Sequence, residues 1–256
     1  MKKLMAPFLL LLTACAGFSQ ANPPKTILFI GAHPDDETAV ADVLVRYSRL
    51  GNKVYVMIAT DGKDGTRVTK IPAGDSLGNL RKLETICACE RMGVEPPVFL
   101  SIERLDTKIG VRNYFNAHKK LLLLLKEKLS LIKPDIIITF GPDGDTHHSE
   151  HIVIGASITE LLLMEGWVDQ YPLYYLAWTK ELGESGDLGW VDKQYYNVRV
   201  DYTDADELKA LEAFKCYVTQ YTPEEMGEDA ESKIKNKENS SYFRRFVTSK
   251  GLKTDF

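Results

Sequence analysis

Cysteine, histidine and surplus positive charge are all scarce in this chain. Of 256 residues, four are cysteine and five histidine, and 32 lysines and arginines face 36 aspartates and glutamates for a formal net charge of −4. That balance leaves no basic footprint for nucleic acid. No G-x-G-x-x-G follows the first buried strand, so a dinucleotide site is not supported. The apolar run at residues 5–12 is too short to span a bilayer. There is no internal repeat, and no linker that argues for two domains.

Residues 1–21 read as an export signal rather than part of the fold, with Lys2 and Lys3 ahead of the short apolar run. Leu12-Thr13-Ala14-Cys15 resembles a bacterial lipobox, in which Cys15 becomes lipidated; Ser19-Gln20-Ala21 offers ordinary cleavage instead. Either ending predicts a periplasmic, envelope-anchored or extracellular protein, touching a membrane only through a lipid on Cys15. Residues 22–256 then form one domain, large enough to bury a sizeable core. Cys87, Cys89 and Cys216 remain in it, an odd count that does not suggest a disulfide framework. Cys87 and Cys89 read as buried small apolar residues, with a thiolate metal site the lesser alternative.

What is present is concentrated at two places. The run 26–30 (TILFI) is continuously apolar and reads as a buried parallel strand. Gly31-Ala32-His33-Pro34-Asp35-Asp36-Glu37 follows it, and 38–50 reads as a helix. One imidazole and three carboxylates at a strand end would repel one another without a cation. His33 and Asp36, three apart across the turn, can aim at one point, and Asp35 between them can face a bound water. A His nitrogen and a carboxylate oxygen suit Zn²⁺ and other divalent ions. The third ligand must come from elsewhere.

The second place repeats the first. Residues 135–140 (DIIITF) form another continuous apolar run, followed by an acidic loop, His147-His148-Ser149-Glu150-His151 and a helix over 152–164. His148 and His151 share a helix face, so one can complete the metal site while the other sits beside the substrate. Between the two places, 53–60 reads as a strand ending in the glycine-bearing loop Asp61-Gly62-Lys63-Asp64-Gly65-Thr66. A helix over 76–92 carries Arg81 and Glu84, by default a surface ion pair. A short strand over 97–100 and a helix over 112–131 follow, the latter with five consecutive leucines that point to a sandwiched or interface position. Beyond residue 165, strands are expected at 173–178 and 195–200 and a glycine-rich loop at 183–189. A helix started by an Asp cap spans 204–221, a charged, solvated or mobile segment 222–241, and 242–247 docks back.

These motifs resemble the LmbE-like, or PIG-L, superfamily of zinc-dependent N-deacetylases. The family's A-H-P-D-D-E stands at Ala32–Glu37 and its H-x-D-H at His148-Ser149-Glu150-His151. Its T-D-G loop stands at Thr60-Asp61-Gly62, and its R-x-x-E at Arg81–Glu84. The similarity covers about residues 26–165. It implies zinc held by His33, Asp36 and His151, with Asp35 as general base. It makes His148 the group that stabilises the oxyanion and protonates the leaving amine, and puts Arg81 against substrate. Glu150 departs from the usual Asp, which shifts contacts behind the ligands. His147 is an extra imidazole, and Thr146 stands where some relatives carry an oxyanion tyrosine, so any such tyrosine must come from elsewhere.

The expectation is therefore a single α/β domain, a Rossmann-like three-layer sandwich with a mostly parallel sheet. Its predicted activity is metal-dependent removal of an N-acetyl group from an N-acetylglucosamine-type sugar, by zinc-activated water with Asp35 as base and a protonated His148 balancing the oxyanion. The ligand set also admits Fe²⁺. The alternatives are an amidase for another N-acyl substrate, or a carbohydrate-binding lipoprotein without turnover. The expected partner is a small-molecule or glycan substrate, with the oligomeric state open. Specificity is expected from the loops at 61–76, 103–111 and 180–190.

Overall fold

A computed structural model describes residues 23–255 except 106, 107, 109, 187, 236 and 237. The expected signal and Cys15 lie outside the described residues. Seven strands form one sheet in the order β3-β2-β1-β4-β5-β7-β6. They are β1 (Thr26–Gly31), β2 (Lys53–Thr60), β3 (Val98–Ile102), β4 (Ile136–Thr139), β5 (Leu173–Ala177), β6 (Val198–Asp201) and β7 (Ser240–Arg245). The first five pair in parallel; β7 runs antiparallel to both β5 and β6.

The apolar runs are continuous because helices cover both faces of the sheet. Ile27, Leu28, Phe29 and Ile30 are fully buried, each contributing about 1.5–3 kcal/mol against exposure. The helices α1 (Ala41–Arg49), α2 (Asp75–Met92) and α7 (Asp204–Phe214) pack on one another, and α3 (Val111–Ile132) packs on α5 (Ser149–Met164). In the leucine run of α3, Leu121 and Leu125 are buried, whereas Leu123 faces solvent. Strand order reverses between β1 and β4, and both acidic motifs leave the carboxyl ends of these two strands, where open α/β sheets place ligands. Thr139 Oγ1 donates to Ile30 O, and Thr60 Oγ1 to Ala32 O, each at 2.8 Å, so the strand ends carrying the motifs are tied together.

Several expectations need correction. Cys87 and Cys216 form a disulfide, leaving Cys89 free and buried. An odd count excludes a fully paired framework, not a single pair. The segment expected to be mobile contains α8 (Pro223–Lys235). α7 stops at Phe214 and is capped by Thr203, whose side chain accepts from Asp206 N in a reciprocal capping box, rather than by an aspartate. The glycine-rich stretch begins inside α6 (Lys180–Gly186), and a 3-10 turn (Asp36–Val40) precedes α1.

Candidate active site

The first motif is a tight reversal. A Cβ on Gly31 would lie 2.7 Å from Asp36 Cβ, so only glycine lets the chain fold back this closely. Asp36 Oδ2 accepts from Ala32 N (2.6 Å) and His33 N (2.9 Å). Asp35 takes the left-handed conformation with φ 105°, a strained state for a residue with a side chain and one that collects at functional sites. The result aims Asp36 inward and leaves Asp35 on the cavity wall.

The second motif is carried by α4 (Gly144–His147), an irregular single turn, and by the start of α5. It brings His151 to 3.1 Å from Asp36 Oδ1 through Nε2, while His33 Nδ1 is 3.6 Å from the same oxygen. Each ring is held from behind. His151 Nδ1 donates to Gly144 O at 3.1 Å, and its ring stacks on Phe140 with centroids 4.1 Å apart. His33 Nε2 donates to Glu150 Oε2 at 2.6 Å, and Glu150 Oε1 accepts from Leu105 N. The longer carboxylate thus does lie behind a histidine. Among the described residues, the three potential metal ligands whose donor atoms all lie within 4.8 Å of one another are His33, His148 and His151, a set that has His148 in place of Asp36.

Charge is unevenly distributed here. Burial alone would lower the His33 pKa, but hydrogen bonds to Asp36 and Glu150 raise it to about 10. His151 is raised as well, because the Asp36 charge outweighs burial. Asp36 goes far below the carboxylate range, as His151 and His33 overcome the cost of burial. Asp35 moves the opposite way, to about 7, chiefly through burial and then the Asp36 charge.

His148 caps α5: its Nδ1 accepts from Glu150 N at 3.2 Å, which leaves Nε2 to carry the hydrogen. Its pKa is lowered by burial and by the neighbouring imidazoles. That direction runs against the protonated His148 of the sequence analysis. Arg81 and Glu84 do not form a surface pair. Both are buried; Arg81 Nη1 donates to Gly62 O, while Glu84 accepts from Thr219 N and Oγ1.

These groups surround one cavity of about 580 Å³. His33, Asp35, Asp36, Arg81, His148 and His151 all line it, as does the loop after β2; Thr146 reaches it and His147 does not. Two further residues in the cavity were not singled out from the sequence. Tyr221 donates its hydroxyl to Asp35, and Asp145, at φ 61°, accepts from Trp178 Nε1. Burial raises Asp145 to about 6. Its place in an acid-rich strand-end loop could have marked it, but nothing local marks Tyr221.

A family profile described as PIG-L, GlcNAc-PI de-N-acetylase, matches residues 28–162. The 1D-myo-inositol 2-acetamido-2-deoxy-α-D-glucopyranoside deacetylase of Mycobacterium sp. (strain KMS) is 28% identical over 169 residues, 60% of this chain. The chain spans about half the length (54%) of that relative. Among solved structures, the N,N′-diacetylchitobiose deacetylase of Pyrococcus horikoshii superposes with a TM-score of 0.60 at 20% identity, covering 88% of this chain and 84% of its own. The 4-carboxy-2-hydroxymuconate hydratase of Pseudomonas putida gives 0.62 at 14% identity, covering 90% and 100%. At these identities the superpositions speak for the fold alone, and this fold hosts more than one reaction. The profile match spans over half the chain and both motifs, and the chain belongs to the PIG-L, or GlcNAc-PI de-N-acetylase, family.

Proposed function

We propose that the protein is a metal-dependent N-deacetylase acting on N-acetylglucosamine-type sugars. The observation that carries this is that His33 Nδ1 and His151 Nε2 both approach Asp36 Oδ1, at 3.6 and 3.1 Å, in the cavity that Asp35 also lines. Bonds of about 2.0–2.2 Å in a tetrahedral set put donor atoms about 3.3 Å apart. The separations of 3.6 and 3.1 Å from Asp36 Oδ1 bracket that value. Both histidines also have their far nitrogen tied to an acceptor, the arrangement that fixes ligand tautomers. His33, Asp36 and His151 would thus hold the ion, zinc by donor type with Fe²⁺ admitted. A divalent ion there polarises the acyl oxygen and lowers the pKa of water to about 7.

The remaining work belongs to side chains. Asp35, near pKa 7 and held by Tyr221, can take a proton from the attacking water and return it to the departing amine. The His148 Nε2–H donates to the oxygen on which negative charge develops. Arg81 fixes the Gly62 loop that forms one wall and faces the substrate from there. The names of the Mycobacterium and Pyrococcus proteins both specify N-acetylated glucosamine sugars, which supports the substrate class. The Cys87–Cys216 bridge supports export to an oxidising compartment.

Amine release from a panel of N-acetylated amino sugars, with and without chelator, tests this on one preparation whose metal content is measured. About one ion per chain and chelator-sensitive release are expected. Asp35→Asn should keep the metal and lose about 10²–10⁴-fold in kcat. A chain that takes up no zinc, or an Asp35→Asn variant with full turnover, would sink the proposal.

A further inference from the structure

Two segments from distant parts of the chain share the wall of the cavity. One is the loop after β2, which contributes Gly62, Lys63 and Arg67. The other is the stretch between α7 and α8, which contributes Gln220 and Tyr221. Arg81 holds the start of the loop through Gly62 O. Arg67 ties the loop to the second segment. Its Nη1 donates to Glu225 Oε1 at 2.6 Å, and its Nη2 donates to Gln220 O at 2.8 Å and to Glu225 Oε2 at 3.3 Å. The guanidinium carbon lies 6.0 Å from the centre of the Tyr221 ring. Tyr221 in turn donates its hydroxyl to Asp35.

The Arg67 side chain is 62% exposed, and an ion pair so exposed ordinarily contributes little to stability. Its geometry is what sets this one apart. A planar fork on a carboxylate, with a further bond to a nearby carbonyl, fixes direction as well as distance. The two residues it grips, Gln220 and Glu225, stand on either side of Tyr221 in the sequence. Glu225 Oε2 also accepts from Thr222 N at the start of α8, so the fork bears on a helix end rather than on loose chain. The Cys216 disulfide anchors the same segment on its N-terminal side. Tyr221 is thus held from both directions along the chain.

We propose that Arg67 is a positioning residue for the reaction: it clamps the 220–225 segment so that the Tyr221 hydroxyl stays on Asp35. The assignment rests on the deacetylase reading of the cavity and deepens it, adding a residue that acts on the base through a tyrosine.

Amine release from the N-acetylated amino sugars is measured for the full chain, for Arg67→Ala, Glu225→Gln and Tyr221→Phe, and for the double variant Arg67→Ala/Tyr221→Phe, with metal content alongside. Glu225 is not among the residues lining the cavity, and a glutamine there keeps an acceptor for Thr222 N, so Glu225→Gln reaches the reaction only through Arg67. Tyr221→Phe should lower kcat about 10- to 100-fold, the worth of a hydrogen bond to a charged group. Arg67→Ala and Glu225→Gln should each lower kcat by about 10-fold, with KM and metal content unchanged. In the Tyr221→Phe background, Arg67→Ala should cost nothing further. A loss that persists in the double variant overturns the proposal, because Arg67 then acts by some route other than Tyr221. Full kcat in any of the three single variants also overturns it. Absence of amine release from every sugar by the wild type removes the deacetylase reading on its own, and amide hydrogen exchange then decides the clamp. Faster exchange over residues 217–222 in Arg67→Ala and Glu225→Gln, with α2 unchanged, keeps the clamp without the reaction, whereas unchanged protection removes both.

Discussion

Asp36 Oδ1 faces two imidazole nitrogens while Oδ2 is spent on two backbone N–H groups. In the absence of a cation, protons hold that arrangement together. Burial lowers the His33 pKa, but the hydrogen bonds to Asp36 and Glu150 more than reverse this and carry it to about 10; His151 is raised too. A metal must displace those protons, so its affinity should fall with falling pH, about tenfold per pH unit for each proton released. Chelator competition at about pH 6 and about pH 8 reads this directly, and equal affinities would mean that the rings are not the ligands. Glu150→Gln removes the charged acceptor behind His33 Nε2 and should weaken metal binding about 10- to 100-fold in the same assay. His33, Asp35 and Asp36 were legible in the sequence because their geometry is local, set by one strand end and one turn. Tyr221 was not legible, since it reaches Asp35 only through tertiary closure, and a tyrosine after an amphipathic helix looks like any other.

Elements reach the site by close approach. A Cβ on Gly155 of α5 would lie 2.4 Å from Phe140 O, the backbone that leaves β4. Gly155→Ala should therefore push α5 off the strand end and shift His151 away from Asp36. Overpacking of this kind costs about 1–3 kcal/mol, or a fall in Tm of a few degrees, with a parallel loss of metal affinity. Gly227 in α8 has nothing within 4 Å of its added Cβ, and Gly227→Ala should instead hold or raise Tm. Thermal melts of the two variants side by side check both directions. The strands β1 and β4 were legible because burial on both faces demands unbroken apolar runs. α8 was misread because its apolar stripe is thin, Met226, Ala230 and Ile234 in the otherwise charged PEEMGEDAESKIK. Its start was nonetheless written there. Thr222 and Glu225 exchange backbone bonds, with Pro223 as the first helical residue, and Arg67 from the cavity loop pairs with Glu225 at 2.6 Å.

At the scale of the whole molecule, the site is closed by residues beyond the family match. The segment after α7 sends Tyr217 to Glu37, Thr219 to Glu84 and Tyr221 to Asp35, placing three donors on three carboxylates. Cys216 anchors that segment to α2 through Cys87, across a sequence separation of 129 residues. Reduction should lower stability by up to about 4–5 kcal/mol in the chain-entropy limit, and should reduce turnover more than metal content as Tyr221 loosens. Melting and turnover with and without reductant test this; an unchanged Tm would mean that the bridge contributes nothing. So long a separation leaves no spacing signature, which is why cysteine counting could not find it. One further property follows from where β7 sits. It lies between β5 and β6 although the chain makes it after both. As the chain folds from its N-terminus, the outer edge of β5 therefore stays bare until β7 is available, and β6 waits without a partner beside it. A bare edge is a template for strands of other chains. A nascent or clipped protein that stops short of Ser240–Arg245 loses two ladders at once, and would be an aggregating species rather than a slightly shorter version of the fold.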